Sequence, residues 1–285
     1  MKTNCCSCVI VNYNDAINTK KLALTLIGFP YISTVCIVDN ASVDDSRKVL
    51  ETIDHPDIHL VWNQHNGGYG AGNNTGIRYL KEQENPKYIL IANPDVIVEE
   101  SLIDHLLQEL EGDESLAAVT GQPINLEQEA RQLAGWNLTN IVDYLLTINA
   151  VLSKFWCRKI RVKGKYCDCL SGSLLMVKAE IMLTYGMYDE RFFLYGEENV
   201  LGWKLRQAGF RSCVIQDTYI HAHSVSIKRA IRSTWERQKL LMTSHRLFIK
   251  EYYGIHPVGL FLLSPYFTIS AMMNAAIIRL KERKS

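Results

Sequence analysis

Strand-like and helical signals alternate regularly through residues 1–120, and this alternation restricts the chain to few folds. The strand signals are short, buried apolar runs, and longer stretches with helical periodicity separate them. A β-α-β-α order with right-handed crossovers gives an α/β fold, a mostly parallel sheet flanked by helices. The predicted strands are Ser7–Val11, Thr34–Val38, Ile58–Trp62, Tyr88–Ala92 and Leu116–Thr120, and the predicted helices are Thr19–Ile27, Asp44–Ile53, Ala71–Gln83 and Glu99–Leu110.

The remaining chain is predicted to form a less regular part and a helical C-terminal extension. We expect one α/β domain over residues 1–225, with halves 1–120 and 121–225, and an extension over 226–285. The second half contains a run of six basic residues without an acid, Lys154–Lys165. Its predicted elements are helices at Leu138–Ser153 and Glu197–Ala208 and strands at Tyr166–Leu170 and Leu174–Val177.

Charge is distributed unevenly along the chain. The net charge is +1, but residues 226–285 carry +8 and the other 225 residues carry −7. The basic C-terminus indicates an anionic partner, whereas the acidic body argues against nucleic acid. Residues 258–280 are long and apolar, but polar residues interrupt them, so we expect an interfacial amphipathic helix rather than a membrane span. A docking or dimerisation helix, and hence a homodimer, is the alternative.

Eight scattered cysteines show no paired zinc-ligand spacing, so a zinc site is not expected. No signal peptide is predicted ahead of the first strand, and we expect free thiols in a reducing cytoplasm.

Polar segments follow the first two predicted strands. VNYN ends the first at Val11–Asn14, and VDNASVDDS follows the second at Val38–Ser46. Ligands of parallel sheets bind beyond the carboxyl ends of strands, so Asp39 is placed to accept hydrogen bonds from a base or ribose. The alternative is a turn former or a cap for the helix near Asp44.

A glycine-rich turn, NQHNGGYGAGNNTGI, joins the third predicted strand to a helix at Asn63–Ile77. Its glycines allow the backbone to approach a diphosphate, and a helix N-terminus favours anions. Asn73 stands where a nicotinamide-binding fingerprint requires glycine, which disfavours a dinucleotide-dependent oxidoreductase. A tight structural turn is the alternative.

Carboxylates stand at two further element ends. The run YILIANPDV delivers Asp95 to the sheet edge, where its oxygens suit Mg²⁺ or Mn²⁺; a simple turn is the alternative. Glu197 and Glu198 begin a predicted helix, whose dipole favours an ionised base; an ordinary acidic first turn is the alternative. His221 or His223 is a candidate ligand for metal or phosphate, or an ordinary solvated or core histidine.

Together these clusters resemble the family-2 glycosyltransferases of GT-A fold, especially bacterial rhamnosyltransferases of surface-polysaccharide (O-antigen or capsule) assembly. The motifs VxVNYN, VDNxSxD, NxGxGxxxNxG, NPD and SGSxLMV occur in the family's order between residues 9 and 226. The segment YDERFFLYGEENVLGWKLRQAG follows where the family has FDExFFxYxEDxDxxxRxxxxG.

The resemblance implies an inverting, metal-dependent hexosyltransferase with a nucleotide-sugar-binding half (1–120) and an acceptor half (121–225). Glu198 would deprotonate the acceptor hydroxyl, and Asp95 and His221 would belong to a Mg²⁺ or Mn²⁺ site, with Ser226 at the spacing of the histidine's partner. The implied donor-binding residues are Asn12, Asn14, Asp39, Asn66, Gly67, Gly68, Gly70, Asn73 and Asn93. The implied acceptor or sugar pocket contains Ser171, Gly172, Ser173 and Glu197.

Two positions depart from the family pattern. Glu198 replaces the family's aspartate and reaches about one methylene further, and Val200 replaces a following aspartate of the acceptor site. The resemblance implies dTDP-rhamnose as donor, with UDP-hexoses as the alternative. It also implies a lipid-linked glycan acceptor at the inner face of the plasma membrane, to which the basic segments would attach peripherally. Two competing hypotheses are a non-catalytic nucleotide-sugar or glycan-binding homologue and a structural membrane scaffold.

Overall fold

The computed structural model describes residues 6–125, 130–156, 162, 164–222 and 233–282. The strands are β1 (Cys6–Asn12), β2 (Ile32–Asp39), β3 (Ile58–Trp62), β4 (Tyr88–Ala92), β5 (Val96–Ile97), β6 (Leu116–Asn125), β7 (Ala130–Arg131), β8 (Gly135–Trp136), β9 (Tyr166–Cys167), β10 (Cys169–Leu170), β11 (Leu174–Lys178) and β12 (Arg211–His221). The helices are α1 (Ala16–Ile27), α2 (Ser46–Leu50), α3 (Tyr69–Gln83), α4 (Glu100–Gly112), α5 (Ile141–Ile148), α6 (Ser153–Trp156), α7 (Ala179–Ile181, followed by a π-helical turn at Met182–Gly186), α8 (Glu197–Gln207), α9 (Thr234–Glu251), α10 (Pro257–Leu262) and α11 (Ser264–Glu282).

The central sheet has the order β3-β2-β1-β4-β11-β6-β12-β5. Strands β3, β2, β1 and β4 are parallel, β11 lies antiparallel between β4 and β6, and β12 is parallel to β6. Strand order reverses at β1, which lies between β2 and β4. In open α/β sheets the crevice at such a reversal is the usual binding place.

Helices cover both faces of this sheet, so its strands are apolar on both sides. Alternate residues of β1 show the arrangement: Cys8 and Ile10 belong to one core cluster with α1 and α4, and Val9 belongs to another with α3 and α8. The mostly parallel α/β sheet expected from the sequence is confirmed.

The C-terminal helices close a third core. In this core Phe248 of α9 and Phe267 of α11 are buried against Tyr144 of α5. Phe192, which precedes α8, and Val200, which lies in α8, belong to the same cluster. This cluster joins residues from both sides of the expected boundary at 225/226, which itself lies outside the described residues. Within the described part of the chain, no helix combines the length and apolarity that crossing a membrane requires.

Several predicted elements were wrong in extent. The helix expected at Leu138–Ser153 stops at Ile148, because Asn149 is extended and its Oδ1 accepts from the N–H groups of Val151 and Leu152 at 3.0 and 3.2 Å. The strand expected at Tyr166–Leu170 breaks at Asp168: β9 pairs with β12, whereas β10 pairs with β8.

The apolar segment near the C-terminus also differs from expectation. It is two helices, broken at Leu263, with Pro265 in the first turn of α11, where proline is tolerated. Part of the basic run Lys154–Lys165, together with His223 and Ser226, lies outside the described residues.

Candidate active site

A cavity of about 480 Å³ opens at the carboxyl edge of the parallel strands. It lies where β1, β2 and β4 end, beside the turn that leads into β11, the end of β12 and the start of α8. Its walls are formed by Val11, Tyr13, Asp15, Asn40, Asn66, Gly68, Tyr69, Asn93, Pro94, Asp95, Ser171, Gly172, Ser173, Phe193, Leu194, Tyr195, Glu197, Glu198 and His221. This wall contains all the predicted acceptor and metal residues and, of the predicted donor residues, Asn66, Gly68 and Asn93.

Asp39, expected to contact a base or ribose, is buried and bonded within the protein. Its Oδ1 accepts from Asn12 Nδ2 at 2.7 Å and from Ser42 Oγ at 2.6 Å, and its Oδ2 accepts from the Ser42 N–H at 3.0 Å. Asn14 joins the same cluster, because its Oδ1 accepts from the Val43 N–H at 2.9 Å. Asn12, Asn14 and Asp39 are absent from the cavity wall, and they fix the loop that places Tyr13 and Asp15 there.

The glycine-rich turn is held by side-chain amides. Asn66 Oδ1 accepts from the Gly68 N–H at 2.9 Å and from Asn40 Nδ2 at 3.0 Å, while Asn40 Nδ2 also donates to the Gly68 carbonyl at 2.9 Å. Gly68 has φ +91°, and an added Cβ would lie 2.1 Å from the Phe193 carbonyl oxygen. Only glycine therefore fits where this turn meets the segment before α8.

The other predicted residues of the glycine-rich turn are not in the cavity wall. Gly67 and Gly70 pack closely: an added Cβ would lie 2.8 Å from Ala71 Cβ and 2.9 Å from Tyr188 Cβ, respectively. Asn73 is buried in α3 and donates to the Tyr69 carbonyl at 3.0 Å. These three residues therefore contact other parts of the protein and do not line the cavity.

Asp95 lies just beyond β4, in a turn fixed by the hydrogen bond from the Asn93 N–H to the Ser173 carbonyl at 2.8 Å. Asp95 is buried, its Oδ1 has no hydrogen-bond partner, and this oxygen lies 3.4 Å from His221 Nε2. The other imidazole nitrogen, Nδ1, lies 3.2 Å from Gln132 Oε1. A buried carboxylate oxygen without a donor is costly unless something else satisfies it.

These two side chains fit a divalent metal ion. Carboxylate oxygen is a preferred ligand of Mg²⁺ and Mn²⁺, and such ions usually complete their shell with waters and substrate phosphates. Among the described residues no group of three or more histidine, cysteine or acidic side chains forms a closed metal cage. Asp95 and His221 therefore offer a partial ligand set open to the cavity.

Glu197 and Glu198 start α8 directly after Gly196, which has φ +92°. Burial, together with the neighbouring Glu198 charge, raises the pKa of Glu197 to about 8, and burial also raises the pKa of Glu198. Glu197 Oε1 has no hydrogen-bond partner. The helix dipole favours ionised carboxyl groups at this position, but burial opposes it and shifts both pKa values upward.

The Ser171–Ser173 turn faces the two glutamates. The Gly172 backbone lies close to the Glu198 carboxyl group, and the Gly172 carbonyl accepts from Tyr69 Oη at 2.5 Å. Ser173 Oγ lies 2.7 Å from Tyr219 Oη. The turn is thus held by Tyr69 of α3 and Tyr219 of β12, and it lies against Glu198.

Val200 occupies the position at which the resemblance implies a second acidic group. Its side chain is fully buried in the third core, one helical turn from Glu197. The site therefore has two carboxyl groups on α8 instead of three.

Sequence reasoning missed several wall residues. Asp15 and Asn40 directly follow the predicted donor residues Asn14 and Asp39, so the strand-end signal already pointed to their neighbourhood. Tyr69 lies within the glycine-rich turn but carries no motif character of its own. Phe193–Tyr195 lie in the motif segment before α8, which gave them no role. They enter the wall through a long-range contact, in which the Tyr69 N–H donates to the Phe193 carbonyl at 3.1 Å.

Comparison with known families identifies the family of this chain. Residues 7–161, more than half of the chain, match the family description "Glycosyl transferase family 2". The chain belongs to glycosyl transferase family 2. The resemblance inferred from the ordered motifs is thereby confirmed at the level of the family.

Named relatives of this family-2 glycosyltransferase include hexosyl- and rhamnosyltransferases. It is 26% identical to the low-salt glycan biosynthesis hexosyltransferase Agl10 of Haloferax volcanii over 78% of this chain and 69% of that protein. It is 26% identical to the N-acetylglucosaminyl-diphospho-decaprenol L-rhamnosyltransferase of Mycobacterium tuberculosis over 67% and 66%, respectively. The rhamnosyltransferase WbbL of Escherichia coli is also 26% identical, over 61% of this chain and 72% of that protein.

Solved structures of glycosyltransferases share the fold. The mannosyltransferase PcManGT from Pyrobaculum calidifontis, in complex with GDP-Man and Mn²⁺, superposes with a TM-score of 0.57 at 18% identity over 96% of this chain and 71% of that one. S. aureus TarS residues 1–349 superpose with a TM-score of 0.53 at 14% identity over 87% and 72%. The expected GT-A fold class with C-terminal helices is confirmed.

Proposed function

We propose that this protein is an inverting glycosyltransferase that moves a sugar from a nucleoside-diphosphate donor to a hydroxyl group of a lipid-linked glycan. The observation that carries this proposal is the shared cavity of Asp95 and Glu198. A buried carboxylate for the diphosphate side and a buried carboxyl group for the acceptor side meet in one pocket at the sheet's carboxyl edge.

The donor side is built around β4. Asp95 and His221 would hold Mg²⁺ or Mn²⁺, and when bound this ion would neutralise charge on the donor diphosphate. Asn93 lines the same edge, and Tyr13, Asp15, Asn40 and Asn66 supply aromatic and polar groups for the nucleoside. In this proposal Asp39, Asn12 and Asn14 act on the nucleotide by fixing the loop that carries Tyr13 and Asp15.

The acceptor side is built around α8. Glu198 takes the proton of the acceptor hydroxyl as that oxygen attacks the anomeric carbon, while the bond from that carbon to the diphosphate oxygen breaks and the configuration inverts. The raised pKa of Glu198, due to burial, makes it a stronger base than a surface glutamate once it is ionised. The backbone of Gly172 lies next to its carboxyl group.

The relatives favour rhamnose as the transferred sugar, with dTDP-rhamnose as donor. Two of the relatives described above are rhamnosyltransferases, and one has a decaprenyl-diphosphate-linked acceptor in its name. A UDP-hexose is the alternative, since a solved neighbour of this fold is a complex with UDP-GlcNAc. We further propose a cytoplasmic enzyme, peripherally bound to the inner face of the plasma membrane, that acts in cell-surface polysaccharide assembly.

The donor site is tested by thermal shift with dTDP, UDP, GDP and their sugar forms, with and without Mn²⁺ or Mg²⁺. We expect one nucleotide class to stabilise the protein, and only with metal. Asp95→Asn should abolish this shift, whereas Asp54→Asn, at an exposed position, should keep it. Equal shifts in the wild type and Asp95→Asn would place the diphosphate elsewhere.

The base is tested by transfer assays with the donor so identified. Glu198→Gln should lower kcat by about 100-fold or more while donor-induced stabilisation is kept, because proton removal is lost and the pocket shape is not. Glu180→Gln, exposed on α7, is the matched control and should retain full activity. Donor binding without transfer in the wild type would favour a non-catalytic binding homologue, for which the buried Val200 is the supporting observation.

A further inference from the structure

The helices α10 and α11 are apolar on the side that faces away from the protein. Of the twelve exposed residues between 257 and 280, ten are apolar, and the exceptions are Thr268 and Arg279. Surface helices of globular proteins normally show the opposite pattern. The most prominent side chains define what we term the apolar face: Val258, Phe261, Leu262, Ile269, Met272 and Leu280, each between 55% and 75% exposed.

The buried side of α11 carries the polar groups. Asn274 is buried, donates to the Ile148 carbonyl at 3.0 Å and accepts from the Ala150 N–H at 2.8 Å. Ser270 is fully buried and accepts from Asn149 Nδ2 at 3.2 Å. These hydrogen bonds fix the rotation of α11, so the outward orientation of Ile269 and Met272 is built into the packing.

The sequence along the apolar face is mainly basic. From Tyr252 to Leu280 the chain contains no aspartate or glutamate, and the end KERKS has three basic residues and one glutamate, Glu282. Two copies joined through this face by a two-fold axis would bring an excess of basic residues together, with Glu282 as the one acidic residue between Tyr252 and Ser285. An anionic leaflet supplies both an apolar interior and negative charge for this excess.

Packing contacts and a hydrogen bond link the helix that carries part of the apolar face to the active-site cavity. Helix α11 packs on α9, with Arg246 over the Phe267 ring at 5.6 Å from its centroid. On α9, Ser244 Oγ donates to the Leu194 carbonyl at 2.8 Å, and Leu194 is part of the cavity wall. One helix therefore joins the apolar face to the acceptor side of the pocket.

We propose that the apolar face of α10 and α11 inserts into the headgroup region of an anionic lipid bilayer and seats the cavity at the membrane surface. This rests on the proposed function for its purpose, since a lipid-linked acceptor is presented there. The binding itself requires neither donor nor acceptor, so it is measured separately.

The test is flotation of the full-length protein with phosphatidylcholine vesicles, with and without phosphatidylglycerol. We expect binding to the anionic vesicles. Replacing Phe261 and Leu262 together by serine should weaken that binding by about tenfold or more, because two large apolar contacts are lost. Ile17→Ser is the matched control: Ile17 is 76% exposed on α1, outside the apolar face, and its replacement should leave flotation unchanged.

Depth is measured with Phe261→Trp and Ile17→Trp and lipids brominated on their acyl chains. Quenching relative to unbrominated vesicles is expected for the tryptophan at 261 and not for that at 17. Unchanged flotation of the double serine variant, or absence of selective quenching, would overturn the proposal. So would a lipid-independent dimer that the double serine variant dissociates. The nucleotide thermal shift should be the same in all these variants, which separates failure of membrane docking from failure of the donor site.

Discussion

Burial sets the chemistry of the neighbouring carboxyl groups at the start of α8. A surface glutamate in a first helical turn gains from the dipole, but Glu197 is only 4% exposed and beside a second acid. Its pKa of about 8 lies above the ordinary value of 4.5. Ionising Glu197 therefore costs more in the folded than in the unfolded protein, which makes stability fall as pH rises from about 4.5 through about 8.

Glu197→Gln should remove this pH-dependent loss of stability. The free energy of unfolding of the variant, measured with urea at each pH and taken relative to that of the wild type, should rise by at least about 1 kcal/mol between pH 4.5 and pH 9. The comparison across pH cancels any constant cost of burying the amide.

Asp189→Asn is a control in which the pKa shift, and hence the change of stability with pH, has the opposite sign. The Arg191 guanidinium lowers the pKa of Asp189 to about 2, so its contribution is present above the ordinary value of 3.8 and lost as pH falls toward 2. This variant should therefore be destabilised at neutral pH and approach the wild type in acid. A Glu197→Gln curve parallel to the wild type at all pH values would show that Glu197 ionises as freely in the folded state as in the unfolded one.

At the scale of elements, the strongest constraint is the contact between the glycine-rich turn and the segment before α8. Gly68 and Gly209 both have positive φ, +91° and +85°, but only Gly68 has backbone where a Cβ would be placed, whereas nothing lies within 4 Å at Gly209. Substituting each glycine therefore separates two costs: that of a left-handed backbone conformation, which both positions have, and that of a steric clash with Phe193, which only Gly68 has.

Gly68→Ala should therefore be more destabilising than Gly209→Ala, by about 1–3 kcal/mol in urea unfolding. It should also weaken nucleotide binding, because relieving the collision displaces Phe193 and with it the wall segment Phe193–Tyr195. Titration calorimetry of the two variants measures this second effect. Equal losses of stability and of nucleotide affinity in the two variants would show that the glycine-rich turn can move without disturbing the cavity wall.

Local sequence signals predicted where helices and strands lie better than they predicted which elements pack or pair with one another. Continuous apolar runs located β3 and β4 to the residue. β4 is buried throughout, and a strand buried on both faces needs no alternation. The long strand β12 was not predicted from such a run, since Gln216 and Thr218 are exposed and its extent comes from pairing with β6. Asp95 and Glu198, which both line the cavity, each stand close to an element boundary in a recognisable motif.

Other features of the site depend on tertiary contacts. The internal hydrogen bonds of Asp39 and the raised pKa of Glu197 depend on what lies across the fold, and periodicity carries no information about that. Sequence reasoning thus located the edge of the sheet where the site forms, but not the full wall of the cavity.

At the scale of the whole molecule, the C-terminal helices contribute to the folded core as well as to the surface. Phe267 of α11 is 2% exposed and packs in the same cluster as Tyr144 and Val200, whereas Phe261 of α10 is 75% exposed. Deleting the helices would remove both kinds of contact at once, so truncation cannot isolate membrane docking.

The two phenylalanines form a matched pair that separates the roles. Phe267→Ala should cost about 3–5 kcal/mol of unfolding free energy, because it leaves a cavity in the shared third core. Phe261→Ala should change stability by no more than about 0.5 kcal/mol. Because the third core includes residues of α5, α8 and α9, Phe267→Ala should lower the midpoint of one cooperative transition followed by both circular dichroism and tryptophan fluorescence. An early transition that melts only the helices would instead make them a separate unit, and the hydrogen bond from Ser244 to Leu194 could then not hold the cavity wall in place.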